Sequence, residues 1–253
     1  MKKSVASIFL LTAVCVSFAG ARDKELTLIA PGGIRAAVEQ LIPGFERKTG
    51  YTVKATFGSG LGTKLQVARG EAFDVPIVQP PYPDVLESGN VVASSAKTLA
   101  SVSVGIAVKK GAPQPDISTA DALKRTLLAA KSVVYPDSKG GAATGVSFEE
   151  ALRKLGIAAQ LEPKLKRAKG GAAAMAMTAK GEAEIGVTFL SEMSEPGLDI
   201  VGAFPNDVVA PTTLVAFVGA HTKDPAGAKA LVEWLSSAAA GAVYKAQGMQ
   251  PGR

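Results

Sequence analysis

Short apolar runs of strand character alternate with amphipathic stretches of helix length along almost the whole chain, and no other feature restricts the fold as much. LTLIA at 26–30 precedes a helical pattern at 34–48, TVKATF at 52–57 precedes one at 61–70, and FDVPIV at 73–78 precedes one at 82–88. Such alternation builds βα units around a largely parallel sheet. In the first helix Ile34, Val38, Leu41, Ile42 and Phe45 recur at the spacing of one buried face. Pro43 lies inside that pattern, and its missing N–H predicts a kink there.

The same grammar continues downstream. SVSVGIAV at 101–108 reads as a strand, the loop KKGAPQPDIST follows, and DALKRTLLAAK at 121–131 reads as a helix capped by Ser118 or Thr119. The strand SVVYP runs into the glycine-rich loop DSKGGAATG and then the helix SFEEALRKLG, where Ser147 and Glu150 have capping-box spacing and Gly156 marks the end. AAAMAMTAKG reads as a helix, EIGVTF as a strand, PGLDIVGAFP as a turn region and TTLVAFV as a strand. One or two helices close the chain over DPAGAKALVEWLSSAAAGAVYKAQG, with Pro225 in a first turn.

Residues 1–21 stand apart from this pattern. Lys2 and Lys3, the apolar stretch from Ser4 to Phe18 and the A-x-A ending Ala19–Ala21 have the three parts of a secretory signal, with cleavage expected after Ala21. The apolar middle is shorter than the roughly 20 residues that cross a bilayer. Cys15, the chain's only cysteine, would leave with it, so neither a disulfide nor a thiolate metal site is expected in the mature protein. Export to a bacterial periplasm is the localisation this implies. Losing Lys2 and Lys3 takes the formal charge from +6 to +4. KLKRAK at 164–169 reads as solvated surface without a nucleic-acid motif beside it, and the mild positive balance suits a small anionic ligand.

Glycines sit where strands hand over to helices. In APGGIRAA at 30–37, Gly32 and Gly33 open the junction, the N–H groups near Gly33 and Ile34 are candidate anion donors, and Arg35 adds a fork-shaped cation. In TFGSGLGTKLQ the candidates are Ser59, Gly60 and Thr63. The loops SKGGAATG and GGAAAM repeat the construction and add Ala143, Thr144, Gly171 and Ala172. In open α/β sheets, ligands collect at these carboxyl ends of strands. None of the junctions is a nucleotide motif: GSGLGTK lacks the phosphate-loop spacing, and its glycines fall as G-x-G-x-G. No Cys or His pair has ligand spacing, so no metal and no cofactor is expected.

At these residues the chain resembles the periplasmic solute-binding proteins of ABC transporters, in the group similar to molybdate-binding proteins. The matching stretches are APGGIRAAVEQLIPGFERKTGYTVKATFGSG, RGEAFDV, KGEAEIGVTFLSEM and YKAQGMQP, and the likeness covers the mature chain. It implies an α/β fold of the type 2 periplasmic-binding class: two lobes joined by two crossover strands, with the ligand in the cleft between them. By analogy, residues 22–100 and 208–253 form one lobe and 101–207 the other. A monomer that passes its ligand to a membrane permease is the expected arrangement. The serine hydroxyls with which molybdate binders hold their oxyanion correspond here to Gly33 and Gly60, and their late tyrosine to Phe189. Those losses favour a di- or tricarboxylate over a tetrahedral oxyanion, with Arg35 and Lys64 supplying charge. The G-[VI]-R-A-A form of the first loop is similar to a branch that includes aconitate isomerase, so an isomerase is the enzymatic alternative and molybdate-like binding a third reading. Lys64, Tyr82, Tyr135 and Lys139 are the candidate proton carriers for an isomerase.

Other chemically capable residues read as structural. His221 belongs to a surface loop, Trp234 to the core and Glu149 and Glu150 to a helix start, while Asp74 in FDV resembles the family's structural acid after a short turn.

Overall fold

The computed structural model describes residues 24–252. The signal sequence expected at 1–21 lies outside them.

The first lobe opens with three βα units: β1 (Glu25–Pro31), α1 (Arg35–Thr49), β2 (Thr52–Gly58), α2 (Gly60–Ala68), β3 (Val75–Val78) and α3 (Pro83–Glu87), followed by β4 (Val91–Val102). The chain then enters the second lobe: β5 (Val104–Lys109), α4 (Ala120–Ala129), β6 (Val133–Pro136), α5 (Ala143–Lys154), α6 (Ala158–Leu161), β7 (Leu165–Ala168), α7 (Gly171–Lys180), β8 (Ile185–Phe189) and β9 (Leu198–Ala203). It returns through β10 (Thr212–Gly219) and ends with α8 (Pro225–Leu235), α9 (Ala238–Ala246) and β11 (Met249–Pro251). The strands form two sheets, ordered β11-β4-β10-β3-β1-β2 and β7-β6-β8-β5-β9.

Both sheets are mixed, not largely parallel. β1 pairs parallel with β2 and β3, and β6 with β7 and β8, as βα units require. β10 runs antiparallel to β3 and β4, and β5 antiparallel to β8 and β9. The reversals arise where the chain passes between lobes, because β5 and β10 re-enter a sheet without a preceding crossover helix.

The central strands of each sheet, among them β1, β3, β5, β6 and β8, are buried on both faces, which explains their near-continuous apolar runs. Along β1, Leu26, Leu28 and Ala30 face the main core while Ile29 joins Val78, Val85 and Phe217 on the other side. In β6, Val133 and Tyr135 face the main core and Val134 packs with Ala174 and Met175 of α7. The period of two thus distributes one apolar string between two layers of helices.

Several local expectations change. α1 runs uninterrupted through Pro43, which lies on its exposed side. α5 begins at Ala143, four residues before Ser147, so the capping box at Ser147 and Glu150 does not form. Glu149 lies in mid-helix and accepts hydrogen bonds from Tyr135 Oη (2.8 Å) and Ser138 Oγ (2.7 Å). The stretch 91–100 is the first part of β4, exposed along much of its length and bulged against β10, which hides its strand periodicity. The expected turn at 196–205 contains β9, which among the described strands is bonded to β5 at the edge of its sheet, with Ile200 half exposed.

KLKRAK contains β7, also an edge strand. Its cations guard that edge: Lys164 Nζ donates to Leu128 O at 2.6 Å, and Arg167 forks onto Glu162 at 2.9 and 3.1 Å. Thr119 caps α4 and Pro225 opens α8, as the sequence predicts. Trp234 packs on α1 and donates to Leu41 O at 3.0 Å, His221 meets Asn90 in a surface loop, and Asp74 accepts from Thr27 N (2.7 Å), Thr27 Oγ1 (2.9 Å) and Thr222 Oγ1.

Candidate functional site

A cleft of about 710 Å³ opens between the two sheets, at the carboxyl ends of β1, β2, β3, β6 and β7. The first lobe contributes the turn Gly32–Ile34 that leads into α1, the Phe57–Gly60 junction and Gln79. The second lobe contributes the Asp137–Thr144 loop, the junction around Gly170–Ala172 and the segment from Phe189 to Ser194.

Of the sequence candidates, Gly33, Arg35, Ser59, Gly60, Ala143, Thr144, Gly171, Ala172 and Phe189 all line this cleft. Ile34 and Thr63 do not. Ile34 is buried in the main core, and Thr63 is fully buried with its hydroxyl unpaired among the described residues. The expected proton carriers also lie elsewhere. Lys64 Nζ donates to Pro81 O at 2.8 Å, and its burial lowers its pKa. Tyr82 stacks edge-on against Phe217. Tyr135 is wholly buried, and desolvation, with the hydrogen bond to Glu149, raises its pKa. Lys139 is exposed outside the lining.

Helix starts dominate the walls. The first N–H groups of a helix have no partner within it, so something else must satisfy them. Among the described residues, no side chain caps the turn at Gly32–Ile34, α1, α5 or α7. Ser59 caps α2 by accepting from Gly62 N at 3.1 Å. Two hydrogen bonds tie the walls together: Leu61 N donates to Gly141 O (3.2 Å) and Ser191 Oγ to Gly33 O (2.6 Å).

Two glycines are fixed by what lies against them. A Cβ on Gly33 would sit 2.9 Å from Phe189 Cδ2, and a Cβ on Gly60 would collide with Gln79 Oε1 and lie 3.0 Å from Ala143 Cβ. The phenyl ring and the amide therefore occupy the space that a serine at either position would need.

Gln79 was not among the sequence candidates. It is 2% exposed, yet among the described residues neither Oε1 nor Nε2 has a hydrogen-bond partner. An unpaired buried amide costs about 1–3 kcal/mol unless something arrives to satisfy it. A sequence signal existed, since Gln79 is the polar residue that directly follows the fully buried strand β3.

Glu192 was also missed, and nothing in SEM at 191–193 distinguishes it from a surface acid. It follows β8 in a short turn, lines the cleft, and accepts from Thr188 Oγ1 at 2.5 Å. Desolvation raises its pKa in spite of that bond and one from the Phe189 backbone, both of which lower it. Lys169, the last residue of KLKRAK, lines the cleft too. Arg35 lies at the mouth: its side chain is 54% exposed, its Cζ is 4.8 Å from the Phe57 ring centroid, and its Nε is 4.0 Å from Glu39. Stacking holds the guanidinium there without committing its fork to a carboxylate.

The arrangement offers backbone donors from three uncapped helix starts, one unpaired amide, two cations and two phenyl walls, Phe57 and Phe189. Chemically it suits a small anion with some apolar surface. Among the described residues, no group of three or more His, Cys, Asp or Glu could hold a metal ion.

The bacterial extracellular solute-binding protein profile matches residues 26–250. An aconitate isomerase from Pseudomonas sp is 32% identical over 234 residues, covering 89% of this chain and 87% of that one. The molybdate-binding protein ModA of Azotobacter vinelandii is 29% identical over 234 residues, covering 90% of each. The solved periplasmic molybdate-binding protein of Azotobacter vinelandii superposes with a TM-score of 0.73 at 21% identity, covering 88% of this chain and 98% of that one, which is a likeness of fold.

Proposed function

The chain belongs to the bacterial extracellular solute-binding protein family, and on that premise we propose that its cleft captures a small organic anion, with di- and tricarboxylates preferred. The observation that carries this reading is the meeting of uncapped helix starts with the unpaired, buried amide of Gln79. Donors left unsatisfied on both walls of one cleft favour a ligand rich in acceptors. The candidate contacts are Gly33, Arg35, Ser59, Gly60, Ala143, Thr144, Gly171, Ala172 and Phe189, joined by Gln79 and Lys169.

Carboxylates are preferred to molybdate for a steric reason. Gly33 and Gly60 have no hydroxyl to offer, and Phe189 and Gln79 leave no room for one. A carbon skeleton makes use of the phenyl walls that a bare oxyanion would not. The physiological role that fits is uptake from the periplasm, with the loaded protein delivering its ligand to an ABC-type permease.

A second reading is isomerisation of aconitate on the same scaffold. It is favoured by the 32% identity with aconitate isomerase and by a carboxyl group, Glu192, inside the cleft.

The test is calorimetry and thermal melting against cis- and trans-aconitate, citrate, succinate, sulfate and molybdate, with NMR following the trans-aconitate sample for the cis isomer. Stabilisation by di- or tricarboxylates is the expected result. Turnover of trans-aconitate would replace the carrier with the isomerase, and stabilisation by molybdate alone would overturn both.

A further inference from the structure

We propose that Glu192 is the proton-carrying group of the cleft, taking up one proton from solvent when a carboxylate binds and then donating it in a hydrogen bond to that ligand. The proposal rests on the anion-binding reading above and adds to it a residue and a proton count.

Position is the first ground. The turn after β8 holds the Glu192 carboxyl between the two walls: a Cβ on Gly32 would lie 3.3 Å from its Oε1, and a Cβ on Gly171 would collide with its Oε2. Two bare glycines thus make room for a carboxyl at the start of α7 and beside the turn into α1. These are helix starts that no side chain caps, and they are where an anion is favoured.

Like charge is the second ground. An anion drawn to the same helix starts meets the Glu192 carboxylate at close range, and two carboxylates sharing one site cannot both stay ionised cheaply. One of them takes a proton. Burial already pushes the Glu192 pKa upward against its two hydrogen bonds, whereas a ligand carboxylate keeps backbone donors that favour its charge. The proton therefore goes to Glu192, and a neutral carboxyl gains an O–H to donate.

The surroundings supply no competing explanation. Thr188 is the side-chain hydrogen-bond partner of Glu192, and among the described residues no cation lies within ion-pair distance of it. The turn into α1 brings Arg35, which is spread over Phe57. α7 carries Lys180 and β5 carries Lys109, both at their far ends, where Lys109 Nζ lies by Gly181. Lys169 precedes α7, Asp137 faces the cleft from the β6 side with its Oδ1 accepting from Lys139 N at 3.1 Å, and β8 has no ionisable residue. Glu195 follows in the same segment and is exposed.

The experiment is isothermal calorimetry of trans-aconitate and citrate binding to the full chain, in buffers of different ionisation enthalpy, across about pH 5 to 9. Wild type should take up close to one proton at pH values between the free and the ligand-bound midpoints of Glu192, and its affinity should fall by about tenfold per pH unit over that interval. Glu192→Gln, which keeps size and a donor but cannot titrate, should bind with no proton uptake attributable to this site and a flattened profile. A ¹³C titration of the glutamate carboxyls, with Glu192 assigned by its loss in E192Q, should move its midpoint upward on adding trans-aconitate. Zero uptake in wild type, equal uptake in E192Q or an unmoved midpoint overturns the proposal and leaves anion binding intact. If no anion in the panel binds at any pH, the anion reading fails and this proposal fails with it.

Discussion

Three long helices that start on the cleft walls, α1, α5 and α7, differ from the three long helices that start away from it. Away from the cleft, Thr119 caps α4 by accepting from Ala122 N (3.1 Å), Asp224 caps α8 through Gly227 N (2.9 Å) and Ser237 caps α9 through Ala240 N (3.2 Å). On the cleft walls, α1 follows Ile34, α5 follows Ala142 and α7 follows Gly170, none of which offers a cap. A missing cap forgoes about 0.5–2 kcal/mol of stability per helix. Among the helices of nine or more residues, those away from the cleft are closed by a side chain and those on its walls, α2 excepted, are left open; the short helices α3 and α6, away from the cleft, are also uncapped.

Closing an open start gives the largest predicted effect. Ala142→Asp would cap α5 with a carboxylate, satisfying the donors from within and placing like charge against any anion. We expect thermal stability to rise by about 0.5–2 kcal/mol while affinity for trans-aconitate falls by about a hundredfold, the loss of one or two charge-assisted hydrogen bonds. A fall in both would mean that the α5 start is not held open for a ligand.

Next comes the unpaired amide. Gln79→Leu removes two polar atoms that have no partner among the described residues and keeps the volume close. Chemical denaturation should show a gain of about 1–3 kcal/mol and titration a roughly tenfold loss of affinity. The smallest change concerns the outer helices. Thr119→Ala or Ser237→Ala should cost about 1 kcal/mol in denaturation and leave carboxylate affinity unchanged. A shift in affinity there would erase the distinction between the two sets of helices.

Much of this plan was legible in the sequence, for a physical reason. Strand-to-helix junctions in α/β sheets share one edge, so identifying four glycine-rich junctions identified the cleft that Gly33, Gly60, Ala143 and Gly171 now line. The buried strands were legible because sheets covered on both faces need unbroken apolar runs. β4 and β9 were not, since β4 is half exposed and bulged and β9 is an edge strand. Side-chain roles were the least legible. Lys64 is tied to Pro81 O and Tyr135 is buried, while Gln79 and Glu192 lie against residues distant in sequence, Gly60 and Gly32 among them. The capping-box spacing of Ser147 and Glu150 misled for a related reason: α5 starts earlier, at an open end that a local rule for capped helices cannot recognise.

Amide chemical shifts of the full chain, recorded as trans-aconitate is added, test the central claim most directly. The account predicts that the largest movements fall on the backbone N–H groups of Ala143, Thr144, Gly171 and Ala172 and on the Gln79 side-chain NH₂, with Ala122, Gly227 and Ala240 unmoved. Saturable shifts concentrated at the capped helix starts, or on surfaces outside the cleft, would contradict it.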